Sequence, residues 1–181
     1  MRGTADRLSR MLAACVVAYA GRTAQATGAV DASPQVRLDA QFTCTTERTE
    51  DRLRDGERRL YVDTAEFHLQ GNIVETFRWE SALYRSTHGS DCSIDDADGL
   101  RTEMLAQDGT SEGWRIELRD GRQARARRGY DADHGLNCSI RLIHRGAMLQ
   151  VLPTCPALCG SRENFSTLTV DLKTGGCNYE H

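Results

Sequence analysis

Apolar and polar residues alternate one by one in several short segments of this chain, and this alternation limits its fold more than any other feature. In residues 36–45, apolar side chains including Phe42 occupy every second position, and Cys44 is the last of them. Polar or charged residues fill the positions between. Because successive side chains of a strand point to opposite faces, these residues are predicted to form a half-buried strand with Cys44 directed inward.

Other segments have the composition or alternation of strands and are separated by turn residues. One pair of such segments flanks Gly71-Asn72, and another pair flanks Arg145-Gly146. This arrangement predicts two hairpins. Residues 100–107 fit either a strand or a short helix. Short spacing of this kind predicts an all-β fold of about seven to nine strands, a single antiparallel sandwich or barrel with little helix. Besides residues 36–45, the clearest predicted strands are residues 60–70, 73–83, 114–118, 138–144, 147–152 and 167–173.

Two further expectations concern the core and the turns. Trp79 and Trp114 fall on the apolar faces of their segments and are predicted to be core residues. Residues 46–59 are almost wholly charged and are predicted to be a solvated loop. A three-residue turn at residues 119–121 would place Ile116 and Trp114 opposite alanines in residues 123–128.

The first 26 residues have the character of a secretory signal. Arginines precede a short apolar run at residues 11–20, and Ala24-Gln25-Ala26 supplies a small-residue cleavage site. The run is shorter than the roughly 20 residues that a membrane-spanning helix needs. A lipobox ending at Cys15 is a rival interpretation, but the residues before it are polar and charged. We expect a periplasmic or secreted protein with a flexible lead-in at residues 27–35 and a single β-rich domain at residues 36–181.

Removal of this signal makes the chain more acidic. It leaves 19 basic and 25 acidic residues, a formal charge of −6 with histidine neutral. Nucleic-acid-binding proteins usually carry the opposite sign, so no nucleic-acid partner is expected. A cationic protein partner suits this charge better.

Six cysteines remain after the signal, which in an exported chain predicts three disulfides. Spacing alone does not decide their pairing. The pairing favoured here is Cys92 with Cys138, Cys44 with Cys159, and Cys155 with Cys177, so that a cross-linked terminal segment closes the fold.

Motifs that carry chemistry are scarce in the sequence. It lacks G-x-S-x-G, H-E-x-x-H, a P-loop and G-x-G-x-x-G, and no cofactor or metal is predicted. Asp-rich segments such as residues 95–99 resemble fragments of a calcium loop but lack its spacing, and turns use the same residues. One basic strip is a candidate partner-binding site, although a solvated strand face explains it as well; it comprises Arg122, Arg125, Arg127 and Arg128.

One resemblance rests on Cys155-x-x-x-Cys159-Gly160-x-Arg162-x-x-Phe165. This segment is similar to the Cys-Gly-Ala-Arg-x-x-Phe segments near the ends of small envelope proteins of Gram-negative bacteria, some of which resemble lysozyme inhibitors. Ser161 replaces the usual alanine, and the Ser-Gly-x-x-Tyr inhibitory loop of one lysozyme-inhibitor family is absent. The resemblance implies an envelope location and assigns no inhibitory residue.

Two function classes follow. The first is a non-enzymatic binding or inhibitor protein, possible partners being a cationic lysozyme-like enzyme or another cell-wall-degrading protein. The alternative is a carboxylate-dependent hydrolase acting on envelope glycans, which the abundance of Asp and Glu allows. A cleft with two converging carboxylates would favour the hydrolase, and an exposed aromatic patch would favour the inhibitor.

Overall fold

The computed structural model describes residues 36–50, 57–105, 109–118, 126, 138–154 and 164–180. Ser33–His181 forms one compact unit. The predicted signal at residues 1–26 and the lead-in at residues 27–35 lie outside the described residues. No helix in the described ranges is long and apolar enough to cross a membrane.

Ten strands and one short 3-10 turn make up the described part of the fold. The strands form two antiparallel sheets in which every strand pairs with its neighbour in the chain. Sheet A contains β1 to β4 in order, and sheet B contains β5 to β10 in order. The strand bounds are β1 (Arg37–Glu50), β2 (Glu57–Gln70), β3 (Ile73–Tyr84), β4 (Gly89–Asp95), β5 (Leu100–Met104), β6 (Glu112–Leu118), β7 (Ser139–Arg145), β8 (Met148–Pro153), β9 (Thr167–Asp171) and β10 (Cys177–Glu180).

The predicted all-β antiparallel fold is confirmed, with more strands than expected. Both predicted hairpins are present, and the turns place Gly71 and Gly146 at φ 55° and 62°. Glycine reaches this left-handed region without the steric cost that a Cβ imposes. Residues 100–107, which fit a strand or a helix, contain β5.

Two predictions about the strands are wrong. Residues 46–50 and 57–59 belong to β1 and β2, whose pairing continues from Thr46 opposite Tyr61 to Glu50 opposite Glu57. The alternation fades there because both faces are polar beyond the core. The turn predicted at residues 119–121 would pair β6 with residues 123–128. Both edges of β6 are instead occupied, because Ile116 pairs with Thr102 of β5 and with Ile140 of β7.

One hydrophobic core lies between the inner faces of the two sheets. Trp79 and Trp114 are fully buried in it, which confirms their prediction as core residues. Phe165 packs edge-on against Trp79 with ring centroids 4.4 Å apart, and Phe67 stacks on Phe77 at 4.6 Å. Aromatic pairs at these separations stabilise a core beyond the area they bury.

The residue before Phe165 ties its segment to sheet A. The hydroxyl of Ser81 donates to the carbonyl oxygen of Asn164 at 2.8 Å, and the amide of Asn164 donates to the carbonyl oxygen of Ser90 at 3.1 Å. The backbone carbonyl and the side-chain NH₂ group of Asn164 therefore have partners on β3 and β4, whereas its buried side-chain oxygen has none.

Candidate functional site

Several of the residues singled out from the sequence lie outside the described residues. This holds for the basic strip and for two cysteines: Arg122, Arg125, Arg127, Arg128, Cys155 and Cys159. Gly160 and Arg162 of the envelope-protein resemblance lie there too. Cys92 and Cys138 are disulfide-bonded, and Cys92 is completely buried.

Cys44 and Cys177 form a disulfide, with their Cα atoms 5.7 Å apart. The predicted bonds of Cys44 with Cys159 and of Cys155 with Cys177 are therefore wrong. The cause is β10, a strand of four residues that carries too little alternation to be recognised from sequence. It places Cys177 beside β1, at the edge where sheet B meets sheet A.

The outer face of sheet A is acidic, and we refer to it as the acidic face. Its described outward side chains include seven carboxylates and three arginines, a formal charge of −4 with histidine neutral. Neighbouring strands bring these groups together from four separate stretches of sequence. The carboxylates are Asp39, Glu47, Glu66, Glu75, Glu80, Asp91 and Asp95, and the arginines are Arg37, Arg58 and Arg78.

The outer face of sheet B has balanced charge over the described strands. Four arginines and four carboxylates point outward there. The excess of negative charge among the strands is therefore confined to sheet A. The outward charged residues of sheet B are Arg101, Glu103, Arg115, Glu117, Arg141, Arg145, Asp171 and Glu180.

An exposed aromatic ring lies at one end of the acidic face. Tyr84, the last residue of β3, is 52% exposed and pairs with Leu60 of β2. On its other side it pairs with Gly89, where an added Cβ would lie only 3.1 Å from the Tyr84 ring. The ring lies close over a residue without a side chain, so the chain favours glycine at this position.

The middle of the acidic face carries short side chains. Thr43, Thr45 and Thr64 are exposed there, and Val62 and Ala82 occupy adjoining positions, of which Ala82 is buried. Carboxylates border these positions along β3 and β4. Exposed threonines with charges and an aromatic ring at their margins are suited to contact with another protein.

A network of charged groups covers the opposite end of the acidic face. Arg37 forms a salt bridge to Asp39 at 2.6 Å, and His68 Nδ1 lies 2.7 Å from the same carboxylate. The hydrogen bond from Arg37 holds the pKa of Asp39 down at about 2. The hydrogen bond to Asp39 raises the pKa of His68. These groups pair with each other, and Arg58 pairs with Glu47 at the Tyr84 end of the face.

The buried polar cluster around Asp63 is a structural feature of the interior. Trp79 Nε1 and the Tyr179 hydroxyl each donate to one carboxylate oxygen of Asp63, both at 2.9 Å. Burial raises the pKa of Asp63 against the effect of these hydrogen bonds. Burial likewise raises the pKa of Tyr179. Because Asp63 has no exposed surface, it cannot exchange protons directly with a substrate from solvent.

The acidic segment before β5 uses its carboxylates to close a turn. Asp95 accepts from the backbone N–H of Ala97 at 2.8 Å, and Asp98 accepts from the N–H of Asp95 at 3.0 Å. This is a capping box on the 3-10 turn Asp96–Asp98. In the part of the chain that the structure describes, no group of three or more His, Cys, Asp or Glu is placed to hold a metal ion.

Comparison with protein-family models, curated proteins and solved structures found no match to this chain.

Sequence reasoning missed the acidic face because its members are distant in sequence and each looks ordinary. Glu80 and Asp91 become diagonal neighbours only through the pairing of β3 with β4, in which Glu80 lies opposite Ser93 and Asp91 opposite Ala82. The available signal was the alternation in residues 73–83, which placed Glu80 on the outward face. It could not say which other outward residues would stand next to it.

Proposed function

We propose that this protein is an exported, non-enzymatic binding or inhibitor protein. Its partner is a cationic protein of the lysozyme-like or other cell-wall-degrading class, and the acidic face is the contact surface. The observation that carries the proposal is the formal charge of −4 on that face, beside the exposed ring of Tyr84.

Charge and shape each supply part of such an interaction. A face with excess negative charge attracts a cationic protein over distances of about a Debye length and raises the rate of productive encounter. Tyrosine is enriched among the residues that dominate interface affinity, because its ring buries a large area at low entropic cost. The disulfide-braced sheet holds these groups in fixed positions before binding, which reduces the ordering cost.

Neither of the two buried carboxylates in the described core supports the hydrolase alternative. A glycoside hydrolase needs two carboxyl groups that both reach the substrate. Asp63 is enclosed by Trp79 and Tyr179, and Asp98 caps a turn. Binding is therefore the function that these side chains support best.

The test uses a cationic lysozyme as the probe partner, with calorimetry for binding and a cell-wall lysis assay for inhibition. Two double variants change the net charge equally: Glu80→Gln with Asp91→Asn on the acidic face, and Glu103→Gln with Glu117→Gln on sheet B. We expect the first to weaken binding about three- to tenfold and the second to leave it nearly unchanged. Absence of saturable binding by the parent protein would overturn the proposal.

Tyr84→Ala tests the aromatic contribution separately from charge. Removal of an interface hot spot typically costs about 2 kcal/mol or more, which is about 30-fold in Kd. The matched control is Ile73→Ala, since Ile73 is an exposed apolar side chain at the β2–β3 turn, at the other end of β3. An equal effect of the two substitutions would place the contact elsewhere.

A further inference from the structure

The inner face of sheet A carries a guanidinium just beyond the end of the apolar core. Arg48 of β1 takes an inward position, and its Nε and Nη2 atoms are buried without a hydrogen-bond partner in the described ranges. The central carbon of the guanidinium lies 4.9 Å from the centre of the Tyr61 ring. Such a cation–π contact positions the group from one of its faces but accepts no hydrogen bond along its edge.

The two unpartnered nitrogens of Arg48 belong to the same edge of the guanidinium. Nε–H and one N–H of Nη2 point in the same direction from this edge, and the pair matches the two oxygens of a carboxylate. Buried donors in native proteins are met by a protein group, a water molecule or an ion, because an unmet donor on a charged group is costly. The edge of Arg48 therefore fits an acceptor with two oxygens.

The surroundings of Arg48 favour an anion over a neutral acceptor. Arg59 lies directly opposite Arg48 in the pairing of β1 with β2, so that Arg48 faces another cation in register and not a carboxylate. Asp63 lies on the same face of β2, but its two oxygens already accept from Trp79 and Tyr179. A carboxylate from outside the chain would supply both the charge and the two acceptors that Arg48 lacks.

We propose that the edge of Arg48 binds a small free carboxylate through parallel hydrogen bonds from Nε–H and Nη2–H, beside the Tyr61 ring. Both nitrogens are buried, which favours a small molecule over the side chain of a folded partner. Arg48 as a whole is only half-buried, so a small molecule can enter beside it. The site faces inward from sheet A and does not depend on the protein partner proposed for the outer face.

The experiment is a ¹⁵N–¹H NMR titration of the oxidised full chain with acetate, in a buffer free of phosphate and of other carboxylates. The side-chain Nε–H signal of Arg48 is assigned by its loss in Arg48→Lys. We expect a saturable downfield shift of this signal, because a hydrogen bond to a carboxylate deshields the proton. Acetamide, which has the same shape and no charge, should bind at least about tenfold more weakly, since a hydrogen bond between charged groups has roughly this advantage.

Arg48→Lys also separates the geometry of the edge from its charge, because lysine keeps the charge and lacks the two-donor edge. Acetate should raise the melting temperature of the parent protein and have little effect on this variant. Arg101→Lys is the matched control, since Arg101 is an outward arginine of sheet B on β5. It should leave acetate binding within about twofold of the parent value.

Three results would overturn the proposal. The first is an Arg48 Nε–H signal that acetate does not move, which would mean that a group of the chain itself meets the edge. The second is equal binding of acetate and acetamide, which would remove the requirement for a charged acceptor. The third is equal weakening by the two lysine substitutions, which would indicate general attraction of anions.

Discussion

Asp63 and Asp39 lie on paired strands of sheet A and have opposite surroundings. Asp63 points inward, has no exposed surface, and accepts hydrogen bonds from Trp79 and Tyr179. Asp39 points outward and meets Arg37. Burial raises the pKa of the first carboxyl, whereas the hydrogen bond from Arg37 lowers the pKa of the second. Asp63 and Asp39 therefore contribute to stability with opposite dependence on pH.

The prediction concerns two single variants, Asp63→Asn and Asp39→Asn, studied by urea unfolding over a series of pH values. The folded-state pKa of Asp63 is above its ordinary 3.8, so its contribution is full below that value and is lost as pH rises through the folded pKa. The stability of Asp63→Asn relative to the parent should therefore increase with pH.

Asp39 provides the control of opposite sign. Its folded-state pKa of about 2 lies below 3.8, so its contribution is present above 3.8 and is lost as pH falls through about 2. Asp39→Asn should be less stable than the parent at neutral pH, and the difference should shrink in acid. Parallel pH profiles for the two variants would contradict this account of the two carboxylates.

At the scale of elements, the β7–β8 ladder continues beyond the last paired residues of the strands. Ile140 pairs with Pro153. One step further, the N–H of Thr154 donates to the carbonyl oxygen of Ser139 at 2.8 Å, and the N–H of Ser139 donates to the Thr154 hydroxyl at 2.8 Å. Extension of this register by one residue predicts that Cys138 pairs with Cys155, which lies outside the described residues.

We therefore expect disulfides of Cys138 with Cys155 and of Cys92 with Cys159, in place of the Cys92–Cys138 pair favoured from sequence. Residues opposite one another in an antiparallel pair have Cα atoms about 4.5–5.5 Å apart, which a disulfide spans. Of the six cysteines that follow the predicted signal, Cys159 then remains as the partner of Cys92. Mass spectrometry of peptides from the unreduced protein measures this directly, and a peptide linking Cys92 to Cys138 would contradict it.

Strand positions could be predicted from sequence wherever one face is buried and the other solvated. This held for β1 up to Cys44 and for both predicted hairpins. It failed for residues 46–50 and 57–59, because Arg48 and Arg59 take inward positions where the apolar core has ended. It also failed for Cys177–Glu180, because four residues contain too few alternations to distinguish a strand from a turn.

At the scale of the whole molecule, the Cys44–Cys177 disulfide joins the first strand of sheet A to the last strand of sheet B. It spans 133 residues of sequence. Chain-entropy models give about 5 kcal/mol for a loop of this size, which is comparable to the total stability of a marginal domain. The bond also keeps β10 beside β1, where the Tyr179 hydroxyl reaches Asp63.

The Cys44→Ser, Cys177→Ser double variant should therefore melt well below the parent protein under oxidising conditions. Substituting both residues avoids a free thiol that could exchange with the other disulfides. With reductant present, the two proteins should melt at similar temperatures, because the parent has lost the same bond. Equal melting temperatures under oxidising conditions would show that the core alone determines the stability.

The location of charge on the molecule could not be predicted from composition. The sequence has a formal net charge of −3, but the outer faces of the two sheets differ by four formal charges only because of strand register. A one-residue shift of β3 against β2 would turn Glu80 inward. The acidic face is thus a property of the assembled sheet, and its role must be tested on the folded protein.

The association rate of a cationic lysozyme with this protein, measured against ionic strength, tests the role of the acidic face most directly. Electrostatic attraction predicts that the rate for the parent falls steeply as salt is added. The Glu80→Gln, Asp91→Asn variant should associate more slowly and with a shallower salt dependence. The Glu103→Gln, Glu117→Gln variant should follow the parent. Identical salt dependence of the two variants, or a parent rate independent of salt, would contradict binding through the acidic face.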